Sequence, residues 1–297
     1  MNPDIYFFVG KGGTGKSTCS AAFSIQKSNQ GKKVLINSID PAHNLSQIFE
    51  QKLSNKIRKI KNNLYAQETN LNIWKKRYLT SIENKMRSTY KNQTAFNLNK
   101  YFKTLKYSPG LEEYATLLAV ENNFKENSDM DIIIFDTPPT ALFLNFLSLP
   151  YSSLRWLEQL CALRKIILEK RETIQRIHTG KEEEHDKVLE GITCMVSEFK
   201  NLVEVFKSKR SHYIIVMNPN SLSLSESKSI MSHLKNLGIS IDLVILNQYE
   251  GQKEILKSIV SNFPKIKVTT LVKEKKEIIG FDKLKEIPEL LLDEKKE

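Results

Sequence analysis

The chain has 297 residues, 40% of them hydrophobic and 27% charged, which is the balance of a globular protein with room for a sizeable core. No stretch approaches the ~18 consecutive apolar residues of a membrane span, and MNPDIYFF has neither the basic start nor the apolar core of a signal peptide, so a cytoplasmic location is expected. A net charge of +11 keeps anionic partners open, but the lysines are scattered and their densest runs, KLSNKIRKIKNN and FKSKR, lack interleaved aromatics; nucleic acid is not expected as a partner.

The first element is an apolar strand, DIYFFV, followed by GKGGTGKST and then a helix from about Lys16 to Gln30, closed by Gly31. Gly10, Gly15, Lys16 and Ser17 fill the fixed places of G-x-x-x-x-G-K-[ST] in the strand-to-helix context the motif requires, which predicts a P-loop. Backbone amides from Gly10 through Gly12, Gly13, Thr14 and Gly15 to Thr18 would wrap a polyphosphate at the helix N-terminus. Lys16 would reach the outer phosphates, and the Ser17 hydroxyl would take one position on Mg²⁺. Lys11 is not required by the generic motif, and by itself reads equally as a solvated lysine.

The second strand, KVLINSI, ends at Asp40 in DPAHNLSQIF. A long interval of expected helical character, about 50–129, separates it from DIIIF, which ends at Asp136 in DTPPT. Ligands of a parallel sheet bind beyond the carboxyl ends of its strands, so both aspartates lie where chemistry is expected. Asp136 reads as the carboxylate that holds the metal, or as a turn aspartate before two prolines; Asp40 reads as the group that orients an attacking water, or as a turn residue before Pro41.

A second helical interval, about 151–210, carries Ile192, Met195, Val196, Phe199, Val203 and Phe206 on one face at the 3.6-residue period. HTGKEEEHD interrupts it as an exposed polar loop; His178 and His185 are spaced too loosely to define a metal site. HYIIVMN, a helix opened by a Ser223–Glu226 capping box and stopped at Gly238, IDLVILN and IKVTTLV complete the series. Continuous aliphatic strands alternating with helices predict a doubly wound, mostly parallel α/β P-loop fold: one domain over 1–297 with helical insertions.

GKGGTGKST, DPAHNLSQIF and DTPPT with the later FLSLP together resemble the ArsA family, which includes the arsenite-pump ATPase and the guided-entry ATPase that targets tail-anchored membrane proteins. SPGLEEYATLLAV, NPNSLSLSESKSIMSHLKNLGI and VILNQ extend the likeness over most of the chain. The resemblance implies a MgATP hydrolase in which DPAHNLS is switch I and DTPPT begins switch II. It implies Asp40 as the water-activating residue, Lys11 as a lysine acting across a dimer, and Asn247 as an adenine contact, although Asn247 also reads as a plain strand-end residue.

Thr14 and Pro138 stand where the family usually has Val and Ala. The family likeness implies a homodimer working on a tail-anchored membrane-protein client or a membrane pump subunit, and the absence of C-x-x-C implies a dimer without structural zinc. Only one methionine lies in the second interval, which counts against a methionine-rich client groove. Cys161 and Cys194 are candidates for a thiol metalloid site or plain apolar residues. The alternative reading is a nucleotide-dependent DNA or membrane partitioning ATPase of the ParA and MinD type.

Overall fold

A computed structural model describes residues 3–89, 104–178 and 186–290. The chain divides into two compact units, Met1–Phe146 with Lys209–Glu297, and Leu147–Ser208.

The first unit is built on one eight-stranded sheet in the order β3-β4-β2-β5-β1-β6-β7-β8. The strands are β1 (Asp4–Val9), β2 (Val34–Ser38), β3 (Arg58–Lys61), β4 (Leu64–Glu68), β5 (Ile132–Asp136), β6 (Ser211–Met217), β7 (Leu243–Tyr249) and β8 (Lys267–Val272). Every pair is parallel except β3 with β4. Helices α1 (Lys16–Asn29), α2 (Leu45–Ile48), α3 (Leu71–Thr89), α4 (Leu111–Glu126), α7 (Ser221–Asn236), α8 (Lys253–Asn262) and α9 (Phe281–Lys285) connect or follow the strands. α5 (Thr140–His178) crosses from the first unit into the second, which also holds α6 (Lys187–Lys207).

The central strands are buried on both faces, which is why they read as unbroken aliphatic and aromatic runs rather than alternating ones. On one face Phe7 stacks between Phe135 and Tyr213, at ring separations of 5.3 and 5.2 Å. On the other, Tyr6 and Phe8 pack against Phe23 of α1. α1 also receives the end of the described chain: the Gln26 amide donates to the carbonyls of Ile287 and Pro288 and accepts from Leu290 N.

The interval expected to be a helical insertion contains two strands. Arg58–Lys61 and Leu64–Glu68 pair across a tight turn in which Asn63 takes φ 57°, and β4 then joins β2 in parallel. LYAQE alternates buried and half-buried residues, a period-two signal that the surrounding lysines and asparagines dilute. The rest is helical: α3 and α4 pack through Leu71, Trp74, Ala115 and Ala119, with Tyr78 against Tyr114 at 4.3 Å.

The expected capping box is a different device. Asn220 caps α7 by accepting from Ser223 N at 2.8 Å, and the Ser223 hydroxyl accepts from Asn218 N at 3.1 Å. Glu226 instead accepts from the Thr140 hydroxyl at 2.6 Å. An asparagine cap satisfies an orphan helix amide as well as serine does, so the sequence offered two solutions and the chain uses the earlier one.

In the second unit, Arg164 of α5 pairs with Asp186, which also caps α6 by accepting from Leu189 N at 2.7 Å. The stripe on α6 is buried at Phe199 and Phe206 and half-buried at Ile192, Met195, Val196 and Val203. Most of the polar loop expected between the two helices, residues 179–185, lies outside the described residues.

Phe7 has no solvent exposure and ring contacts to both neighbouring strands. Phe7→Ala is therefore expected to lower stability by about 3–5 kcal/mol, read as a shift of the urea midpoint at unchanged slope.

Candidate functional site

The strand order sets β4, β2, β5 and β1 side by side, and their registers align Glu68, Ser38, Asp136 and Phe8 in a row at the sheet's carboxyl end. The glycine loop leaves β1 immediately beyond that row. Two of its glycines are required by close approach. A Cβ on Gly10 would lie 2.1 Å from the Val216 carbonyl oxygen, and one on Gly15, where φ is 89°, would lie 2.3 Å from the Asn247 amide.

Lys16 opens α1 and is only 5% exposed. Its Nζ donates to the Lys11 carbonyl at 3.3 Å, which also accepts from the Thr14 hydroxyl at 2.9 Å. Burial lowers the Lys16 pKa, and the carboxylates of Asp136, Asp40 and Glu226 act against that shift.

Asp136 is fully buried. Burial pushes its carboxyl up to about 7; bonding from Ser17, the charge of Lys16 and a bond from Ser38 pull the other way, and Asp40 adds to the rise. Oδ2 accepts from the Ser38 hydroxyl at 3.3 Å, while Oδ1 is buried with no hydrogen-bond partner in the protein. A buried carboxyl that is costly to ionise, with one oxygen unsatisfied and a serine hydroxyl on it, has the chemistry of a hard-cation ligand.

Asp40 follows β2 in a tight turn. Its Oδ1 accepts from Ala42 N at 2.9 Å, its carbonyl accepts from His43 N at 3.1 Å, and His43 takes φ 49°. The turn role is therefore filled, and the same bond holds the carboxylate in place. The segment after β5 is fastened to the sheet and to α7: Thr137 donates to the Phe8 carbonyl at 2.6 Å, and Thr140 to Glu226.

Lys11 is half-buried and lines a cleft of about 290 Å³ that lies between the P-loop and the start of α7, from Asn218 to Ser223. Asn247, expected to face a base, donates to the Thr14 carbonyl at 2.8 Å and so braces the P-loop itself. Sequence reasoning missed Ser38, Thr140 and Glu226. Ser38 carried a signal, as a small polar residue closing a strand that is otherwise aliphatic on that face.

Cys161 and Cys194 are not brought into a metal site. Cys161 is half-buried and lines a shallow recess of about 280 Å³ with Lys165 and Val196; Cys194 is exposed and contacts Glu198 on its own helix. Among the described residues no group of three or more His, Cys, Asp or Glu could hold a metal ion, and no helix is long and apolar enough to cross a membrane. His185 lies outside the described residues.

A buried lysine where a glycine loop meets the first turn of a helix, with the loop's glycines required by close approach, places the chain among the P-loop nucleotide hydrolases. The model of the anion-transporting ATPase family, the ArsA ATPases, matches residues 4–251, and the chain belongs to that family of ATPases. It is 31% identical to the putative arsenical pump-driving ATPase 2 of Aquifex aeolicus (strain VF5) over 97% of this chain and 98% of that protein. It is 28% identical to the ATPase ASNA1 homolog 2 of Paramecium tetraurelia over 99% and 95%, and 27% identical to a putative arsenical pump-driving ATPase of Chlorobaculum tepidum over 94% and 73%.

Replacing Asn247 by Ala removes the donor on Thr14 and the amide that fills the space above Gly15. The expected loss is about 1 kcal/mol of stability, measured by denaturant titration.

Proposed function

We propose that the chain hydrolyses MgATP with a water positioned by Asp40, and that the cycle opens and closes a homodimer coupled to a membrane-protein client or to an arsenical or anion pump. The observation that carries the reading is the Lys16–Asp136 arrangement: a lysine at the start of α1 and a carboxyl at the end of β5, both buried, with Ser17 bonded to the acid. Family membership and the names of the arsenical pump-driving relatives support it.

In this reading, Lys16 exchanges its bond to the Lys11 carbonyl for the β- and γ-phosphates, and amides from Gly12 to Thr18 turn toward the same oxygens. Ser17 and Asp136 would hold Mg²⁺, which when bound neutralises charge building on the phosphates. Asp40, two strands from the P-loop, orients the attacking water in line with the γ-phosphate and receives its proton. Lys11 acts on the nucleotide of the partner subunit, from the edge of a cleft that opens beside its own P-loop. Asn247 meets the adenine with the amide valence left after its bond to Thr14. Switch segments anchored to both the sheet and α7 give nucleotide state a route to the helices that follow.

Lys16→Ala is expected to abolish ATP binding in equilibrium dialysis. Asp40→Asn is expected to bind ATP and hydrolyse it about a hundredfold more slowly, and an unchanged rate would overturn the mechanism. Light scattering with and without ATP should find a dimer when nucleotide is bound; monomer under both conditions would refute the role given to Lys11. ATPase rates measured in parallel with arsenite, a tail-anchor peptide and DNA identify the coupled partner by which of them raises turnover.

A further inference from the structure

Two carboxylates close strands of the sheet at its carboxyl end. Asp136 on β5 belongs to the site already described; Glu68 on β4 is separated from it by β2, where Ser38 is the register partner of both. Glu68 is 7% exposed, and both its oxygens are taken by a single residue of switch I. Ser46 N donates to Oε1 and Ser46 Oγ to Oε2, each at 2.7 Å. The Ser46 hydroxyl accepts in turn from Leu53 N at 3.0 Å, and the Ser46 carbonyl accepts from Gln51 N at 3.0 Å. Ser46 is therefore held through its amide, its hydroxyl and its carbonyl.

The loop that carries Asp40 is consequently fixed at both ends. At its start, Ile39 N donates to the Asp136 carbonyl at 3.0 Å, and the Asp40 turn closes on Ala42 and His43. At its far end the bidentate bond to Glu68 decides where Ser46 sits. Between these points lie only Pro41 to Leu45, so a shift of Ser46 has few residues in which to be absorbed before it reaches Asp40. The far fastening is bidentate, two bonds of 2.7 Å onto one carboxyl group.

We propose that Glu68 is a positioning residue for hydrolysis: through Ser46 it holds the Asp40–Leu45 loop so that the Asp40 carboxylate meets the attacking water. The proposal rests on the reading of Asp40 as the water-orienting group. Glu68 touches no nucleotide in this scheme and acts only on geometry, where a displacement of an ångström is worth about a hundredfold in rate.

The test is steady-state ATP hydrolysis by the full chain carrying Ser46→Ala, Ser46→Thr, Glu68→Gln, the Ser46→Ala/Glu68→Gln pair, or Asp40→Asn. Ser46→Ala and Glu68→Gln are each expected to lower kcat about tenfold with KM for ATP unchanged. The pair should be no slower than the slower single variant, because both break one linkage, and Ser46→Thr, which keeps the hydroxyl, should restore turnover. A purely structural anchor would lower the thermal midpoint and the active fraction instead, without the split between kcat and KM or the repair by threonine, and that result overturns the proposal. Normal kcat in Ser46→Ala and Glu68→Gln alongside a slow Asp40→Asn also overturns it. A normal rate in Asp40→Asn removes the premise and the proposal together. Should Glu68→Gln fail to fold, Ser46→Ala and Ser46→Thr still decide the matter, since they leave the buried acid bonded to the Ser46 amide.

Discussion

Everything at the carboxyl end of the sheet answers to the cost of taking Lys16 and Asp136 out of water. Each would be expelled or neutralised alone: burial drives the lysine's pKa down and the aspartate's up. Together they moderate one another, and the surrounding hydroxyls of Ser17 and Ser38 complete most of the bonding. The remaining shortfall, an unpartnered oxygen on Asp136 and a lysine resting on its own loop's carbonyl, is concentrated where a phosphate–cation complex would relieve it. A site that is least satisfied at its centre is poised for a highly charged ligand.

The sheet makes that concentration possible. Placing β5 between β1 and β2 aligns Phe8, Asp136 and Ser38 in one row, so that the three segments that follow these strands start from the same edge. Thr137 on the Phe8 carbonyl and Glu68 on Ser46 are where the segments after β5 and β2 are made fast.

Much of this was legible in the sequence, and the reasons differ by residue. The P-loop lysine and glycines are recognisable because backbone wrapping and close approach leave few alternatives at Gly10 and Gly15. The central strands are recognisable because burial on both faces fills them with aliphatic and aromatic residues, polar ones being confined to their ends. β3 and β4 escaped notice: RKIK is exposed on most of its length, and LYAQE is too short for its alternation to stand out. The capping box misled because Ser223 and Glu226 do sit at the right spacing, while Asn220 stands three residues earlier and Glu226 finds a partner, Thr140, more than eighty residues away. Such long-range pairings, like Asn247 with Thr14, leave no local trace in the chain.

β3 also changes how the surplus of positive charge is understood. It is one of the two border strands of the sheet, and Arg58, Lys59 and Lys61 are exposed along it, with Lys61 lying 4.0 Å over the ring of Phe281. A border strand offers a row of unsatisfied amides and carbonyls to any other chain that can align with it, and repelling cations are a common guard against such stacking. Bases that composition alone leaves open to an anionic partner stand here as the like charges that disfavour strand-on-strand pairing at a sheet edge.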